Sequence, residues 1–172
     1  MKYLLPIWEH RAEASKIKVR FCLVVTSDSV VRGERRDEVT PLSRELILSK
    51  GHELVHATVV PNDESKIREI VSSLLDKCDV VLVTGGTGLS SRDVSVDAIK
   101  PLCTKEIPGY GELFRYLTFR RYGAAALATR AMACLSGKTL IFATPGSKDA
   151  VELALNELIL PEISHLVYEV RK

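Results

Sequence analysis

Val80–Asp93 reads VVLVTGGTGLSSRD: an unbroken apolar run, three glycines within four positions, then an arginine and an aspartate. A run that is apolar at every residue belongs to a strand covered on both faces. The glycines that follow let the chain turn tightly into a helix, or let its backbone approach an anion closely. Upstream, VRFCLVVTS (Val19–Ser27) repeats the buried-strand pattern. TPLSRELILSKG predicts a helix with Thr40 as N-cap, Pro41 at its first position and Gly51 as its stop. ELVHATVVP predicts a strand ended by Pro61, and residues 63–76 a helix with Ile67, Ile70, Val71, Leu74 and Leu75 on one face.

Downstream, residues 94–102 predict a short helix, and EIPGYGELFRYLTFRRYG a turn leading into another. KTLIFATPGS predicts a late strand, followed by a helix over residues 151–170 broken near Pro161. Short β-branched runs alternating with helical segments define an α/β domain with a mostly parallel sheet.

The 172 residues suffice for one such domain, read here as residues 18–172 behind an N-terminal arm of residues 1–17. The arm carries Leu4, Leu5, Ile7 and Trp8, and its apolar patch is interrupted by Pro6, unlike a signal peptide. Apolar residues of this kind are expected to pack on their own domain or on another subunit. With 24 Lys+Arg against 22 Asp+Glu, the net charge of +2 supplies no general drive toward nucleic acid. No apolar run approaches the ~20 residues of a membrane span, so no membrane role is expected. The four cysteines (Cys22, Cys78, Cys103 and Cys134) form no C-x-x-C pair and sit mostly in apolar stretches. Reduced thiols and a cytoplasmic protein are the expectation.

In open α/β sheets, ligands gather at the carboxyl ends of the strands. Three loops fit that place. The first is Thr84, Gly85, Gly86, Thr87 and Gly88, whose N–H groups and hydroxyls suit phosphate oxygens. It has neither the Gly-Lys-Ser/Thr ending of a Walker loop nor the last glycine of a dinucleotide loop. Taken alone, it serves equally as a strand-to-helix turn. Arg92 suits a phosphate, whereas Asp93 beside the same anion makes sense with a bridging Mg²⁺, or else as an N-cap for the following helix. Asp97 reads as a surface or first-turn residue. The second loop, VPNDES, offers Asn62 and Asp63 to the same cation, although acid there also suits a helix N-terminus. The third, ATPGS, offers Pro145, Gly146 and Ser147, the last as N-cap or phosphate contact.

TGGTG…RD, EIPGYGELFR and KTLIFATPGS, in this order and spacing, resemble the MoaB/MogA family of molybdenum cofactor biosynthesis proteins, and GELFRYLTFRRYGAAALATRA is closer to its MoaB branch. The resemblance implies a three-layer α/β/α sandwich, assembled as a homo-trimer or homo-hexamer, that binds molybdopterin. It further implies an adenylyltransferase (a nucleotidyltransferase) that joins molybdopterin and ATP with Mg²⁺ and releases pyrophosphate, and contact with other molybdenum cofactor biosynthesis proteins.

Position by position, Asp93 matches one of two catalytic acids of the family, while the other position holds Asn62, with Asp63 next in line to take the metal role. Ser27 and Asp28 match a pocket-lining Ser-Asp pair, and Thr129 and Arg130 a Ser-Arg pair. Pro108, Gly109, Gly111 and Glu112 match a turn that shapes the pterin pocket. The departure at Asn62 keeps a second reading open, a non-catalytic molybdopterin-binding or carrier protein of the same fold.

Overall fold

The computed structural model describes residues 14–172. Leu4 to Trp8 of the expected arm lie outside them. The arm's last residues pack on its own domain: Ala14 is buried, and the carbonyl of Ile17 accepts from Ser164 Oγ at 3.1 Å.

Strands β1 (Arg20–Thr26), β2 (Glu53–Val60), β3 (Val80–Thr84), β4 (Lys105–Glu106), β5 (Met132–Ser136) and β6 (Thr139–Thr144) form one sheet in the order β2-β1-β3-β6-β5-β4. β2, β1, β3 and β6 run parallel, and β5 and β4 complete the sheet antiparallel. The helices are α1 (Asp28–Val31), α2 (Val39–Ser49), α3 (Glu64–Leu74), α4 (Ser95–Ile99), α5 (Pro108–Tyr122), α6 (Lys148–Leu153) and α7 (Leu160–Arg171).

Strand side chains alternate between faces, and the register stacks like with like. Phe21, Leu23, Leu82 and Phe142 meet Ile47 of α2, Phe114 of α5 and Val151 and Ile163 of α6 and α7. Cys22, Val24, Val81, Val83 and Ile141 meet Ile67 and Val71 of α3 and Ile99 of α4 on the other face. The result is a three-layer α/β/α sandwich whose central strands are wholly buried, as their continuous apolar character requires.

The local differences from expectation have local causes. Asp37, not Thr40, caps α2: its Oδ1 accepts from Val39 N and Thr40 N, both at 3.0 Å. The PGYG segment is the first turn of α5 rather than a turn before it, with Pro108 at the position where a missing N–H costs nothing. No break occurs at Pro161. α6 runs through a π-helical stretch, Ala154–Ile159, directly into α7, and the wider turn absorbs the donor that proline lacks. β5 and β4 were not anticipated because MACLS has no period-2 pattern and KE is only two residues long. That short, charged, exposed edge guards the sheet against further pairing.

All four cysteines are paired, contrary to the expectation of reduced thiols. Cys22 is joined to Cys78 with Cα atoms 6.1 Å apart, and Cys103 to Cys134 at 5.6 Å. The partners are 56 and 31 residues apart in sequence, so no local spacing announces them. Strand pairing brings them together: β1 lies beside β3, which Cys78 precedes, and β5 lies beside β4, which Cys103 precedes.

Candidate functional site

The glycine loop leaves the carboxyl end of β3 between the ends of β1 and β6. Gly85 and Gly86 have φ of 97° and 65°, a region that side chains disfavour. The packing forbids side chains there as well: a Cβ on Gly85 would lie 2.5 Å from the Thr26 carbonyl oxygen, and one on Gly86 2.5 Å from Ser95 Oγ. Gly85→Ala is therefore expected to lower stability by about 2 kcal/mol or more, measured by denaturant unfolding; an unchanged midpoint would contradict this backbone geometry.

The carbonyls of Gly86, Thr87 and Gly88 are engaged by protein donors. Ser95 N donates to Gly86 O at 3.0 Å, Arg130 N to Thr87 O at 2.8 Å and Arg130 Nε to Gly88 O at 2.9 Å. Among the described residues, no protein acceptor pairs the N–H of Gly86, Thr87 or Gly88. Carbonyls drawn back with N–H groups left free is the polarity that an anion requires. Thr84 does not join them. It ends β3 with its hydroxyl buried and unpartnered among the described residues, because strand alternation turns it into the sheet face rather than toward the loop.

Arg130 organises this loop from the side opposite β1. Besides Gly88 O, its guanidinium donates to Asp93 O and forks onto Asp97, Nη1 to Oδ1 and Nη2 to Oδ2 at 3.0 Å each. The fork holds the Asp97 carboxyl below its ordinary range. Sequence reading gave Asp97 a surface or first-turn role and no part in the site. The signal that finds it is its place on the first turn of α4, facing the strand-edge arginine. Thr129 Oγ1 accepts from Ala131 N at 3.2 Å, turning the chain so that Arg130 reaches inward.

The candidate acids separate clearly. Asp93 does not cap α4: its Oδ2 accepts from Ser90 N at 3.0 Å and presses where a Cβ on Gly88 would lie, 2.7 Å away. Its carboxylate thus borders the glycine loop. Asp63 caps α3 instead, its Oδ1 accepting from Lys66 N at 2.9 Å. Asp63→Ala is expected to cost about 1 kcal/mol while Asp63→Asn, also a good cap, costs far less; equal melting temperatures for the two would refute the cap. Asp28 opens α1 behind Ser27, which caps that helix by accepting from Val30 N at 3.3 Å. The backbone N–H of Asn62 donates to Asp28 and, against some desolvation, holds its carboxyl below the usual range. Arg92 Nη1 lies 4.0 Å from Asp28 Oδ2, so Arg92 links the glycine loop to the end of β1.

Two clefts flank the ridge formed by TGGTG and TPGS, where a Cβ on Gly146 would sit 3.0 Å from Gly85 Cα. One, of about 270 Å³, is mostly apolar, bounded by Thr87, Gly88, Phe114, Thr129, Pro145 and Leu153. Its rim is tied by Tyr122, whose hydroxyl donates to Asp149. The other, of about 310 Å³, lies between Ser27, Gly85, Gly146 and the mixed-charge run Arg35, Arg36, Asp37 and Glu38, in which Arg35 Nη2 stands 3.9 Å from Glu38 Oε2. Ser147 borders both while capping α6 through Ala150 N at 3.2 Å. Pro108, Gly111 and Glu112 border a separate hollow of about 340 Å³ beside Arg130, and Gly109 lines none of these three cavities.

Among the described residues, no three His, Cys, Asp or Glu side chains gather as a metal cage. What borders the glycine loop is a hard carboxylate, Asp93, beside free N–H groups. That donor set fits Mg²⁺, which takes one or two carboxylates and completes its shell with phosphate oxygens.

Comparison with known proteins agrees with this architecture. Residues 22–165 match the family model described as a probable molybdopterin binding domain. Molybdenum cofactor biosynthesis protein B of Bacillus subtilis is 39% identical over 171 residues, covering 98% of this chain and 99% of that protein. The crystal structure of tungsten cofactor synthesizing protein MoaB from Pyrococcus furiosus superposes with a TM-score of 0.82 at 35% identity, covering 90% of this chain and 98% of that one. A further crystal structure of molybdenum cofactor biosynthesis protein B gives a TM-score of 0.83 at 37% identity, covering 90% and 97%.

Proposed function

The chain belongs to the molybdopterin-binding domain family of molybdenum cofactor biosynthesis, on its MoaB side, and from that premise we propose that it is a molybdopterin adenylyltransferase. The observation that carries the reading is the glycine loop, with three N–H groups free and a carboxylate at its border, set between two clefts. Two clefts meeting at one anion site suit a reaction that joins two phosphate-bearing substrates.

In the proposed reaction, a terminal phosphate oxygen of molybdopterin attacks the α-phosphorus of ATP. A new P–O–P linkage forms, the bond between the α-phosphorus and its bridging oxygen to the β-phosphorus breaks, and pyrophosphate leaves with that electron pair. The apolar cleft takes a flat ring against Phe114, and the cleft with Arg35 and Arg36 takes the polyphosphate. The free N–H groups hold the reacting phosphates in line and stabilise the charge that grows on their oxygens. Arg130 and Asp97 keep those N–H groups aimed by fixing the carbonyls behind them. Asp93 would hold Mg²⁺ together with phosphate oxygens, and the ion would supply neutralisation of the anion that an anionic nucleophile must approach.

The α5 face supports a homo-oligomer, trimer or hexamer. Leu113, Tyr116, Phe119 and Tyr122 recur every three residues and are each more than half exposed, and Leu127 is 84% exposed beyond them. An apolar stripe of this kind marks an interaction surface. No helix among the described residues is long and apolar enough to cross a membrane. With ATP as the proposed co-substrate, the reading is of a reaction in the cytoplasm.

The deciding experiment is pyrophosphate release from molybdopterin and MgATP by the purified protein. Turnover that requires both substrates is expected. Tight molybdopterin binding without pyrophosphate release would instead establish the carrier reading, which Asn62 at an expected acid position favours.

A further inference from the structure

The acid missing at residue 62 has a neighbour in the fold. Asn62 N donates to Asp28 Oδ1 at 2.9 Å, and Asn62 Nδ2 lies 3.5 Å from Asp28 Oδ2, so residue 62 grips both oxygens of one carboxylate. The amide orientation follows from charge, since its oxygen would be repelled by the carboxylate that its nitrogen faces. The consequence is a buried Oδ1 with no partner among the described residues. A polar atom left in that state is costly, and the compensating gain on this side of the loop is the hold on Asp28. An aspartate at 62 would set two carboxylates against each other across the same 3.5 Å, an arrangement in which both resist ionisation together.

We propose that Asp28 supplies the second carboxylate of this site toward the divalent cation, and that Asn62 is its positioning residue. Asp28 stands at the carboxyl end of β1, directly after Ser27 of the cleft that Arg35 and Arg36 line together with Asp37 and Glu38, and the Arg92 contact ties it to the loop that carries Asp93. Its side chain is only 22% exposed, which limits its motion, yet among the described residues the one cation within ion-pair distance is the Nη1 of Arg92 at 4.0 Å, itself 74% exposed, with Arg32 acting from farther off. A pair at that separation is weak and exchangeable, so Asp28 remains available to an incoming cation. Asp63, adjacent in sequence, is occupied by its helix cap. The charge needed for a two-carboxylate Mg²⁺ site is thus present, shifted from the second strand's loop to the first.

This rests on the proposed nucleotide chemistry, and its test is read independently of turnover. Mn²⁺ is titrated by electron paramagnetic resonance in the presence of α,β-methylene-ATP, with wild type, Asp28→Asn and Asn62→Ala. Asp28→Asn, nearly isosteric, is expected to keep the melting temperature and weaken Mn²⁺ binding at least tenfold. Asn62→Ala is expected to weaken it by a smaller factor, because the carboxylate stays and only its orientation is loosened. Wild-type Mn²⁺ affinity in Asp28→Asn overturns the proposal, as does a wild type that binds no Mn²⁺ with the nucleotide. Absence of pyrophosphate release from a wild type that does bind Mn²⁺ through Asp28 overturns the transferase reading alone.

Discussion

Asp93→Asn is expected to reduce pyrophosphate release by about 10²–10³-fold, the loss that follows removal of one preorganised electrostatic group, while leaving the melting temperature near that of wild type. The asparagine carbonyl can still accept from Ser90 N, the bond that Asp93 Oδ2 makes at 3.0 Å, so the loop keeps its shape and only the charge disappears. Molybdopterin binding is expected to survive, because the free N–H groups of Gly86 to Gly88 do not depend on that charge. Asp93→Ala removes both the charge and the loop bond. It is expected to lose at least as much turnover and, in addition, some order between Gly88 and Asp93, visible as faster amide exchange there. Full turnover in Asp93→Asn would remove Asp93 from the chemistry.

Breaking both disulfides is expected to have the largest effect on stability. In the loop-entropy account, closing loops of 56 and 31 residues stabilises the folded chain by roughly 4 kcal/mol each. The two loops do not overlap in sequence, so the contributions add to a first approximation. Replacing Cys22 and Cys78 together by alanine is expected to lower the melting temperature by roughly 10 °C, and replacing all four cysteines by roughly 20 °C. Thiol titration of the unfolded, unreduced protein checks the premise: no free thiol is expected. Four titratable thiols, or a quadruple variant that melts like wild type, would reverse the assignment.

Much of the site was legible because its signals are local. TGGTG declares a close backbone approach within five letters, and Gly85 and Gly86 do adopt the conformations that only glycine holds easily. Ser147 declares its cap by standing before a helix that it then caps. Asp63 shows the limit of local reading, for the same letter serves a cation or a helix N-terminus, and only the bond to Lys66 N decides between them. Thr84 shows another: it belongs by sequence to the phosphate loop, yet the register that pairs it with Thr144 buries it in the sheet.

The succession of β1, β2, β3 and β6 with helices between them, the doubly covered parallel sheet and the glycine loop at the end of β3 were legible in the sequence alone, whereas β4 and β5 were not. Hydrophobic period, glycine and proline act over a few residues and need no knowledge of what lies opposite. Tertiary structure alone decided the pairing of Cys22 with Cys78 and of Cys103 with Cys134, the fork of Arg130 onto Asp97 33 residues away, and the grip of Asn62 on Asp28 34 residues away. Each of these contacts joins elements far apart in the chain. Their geometry comes into being only when β1 and β6 take their places on either side of β3.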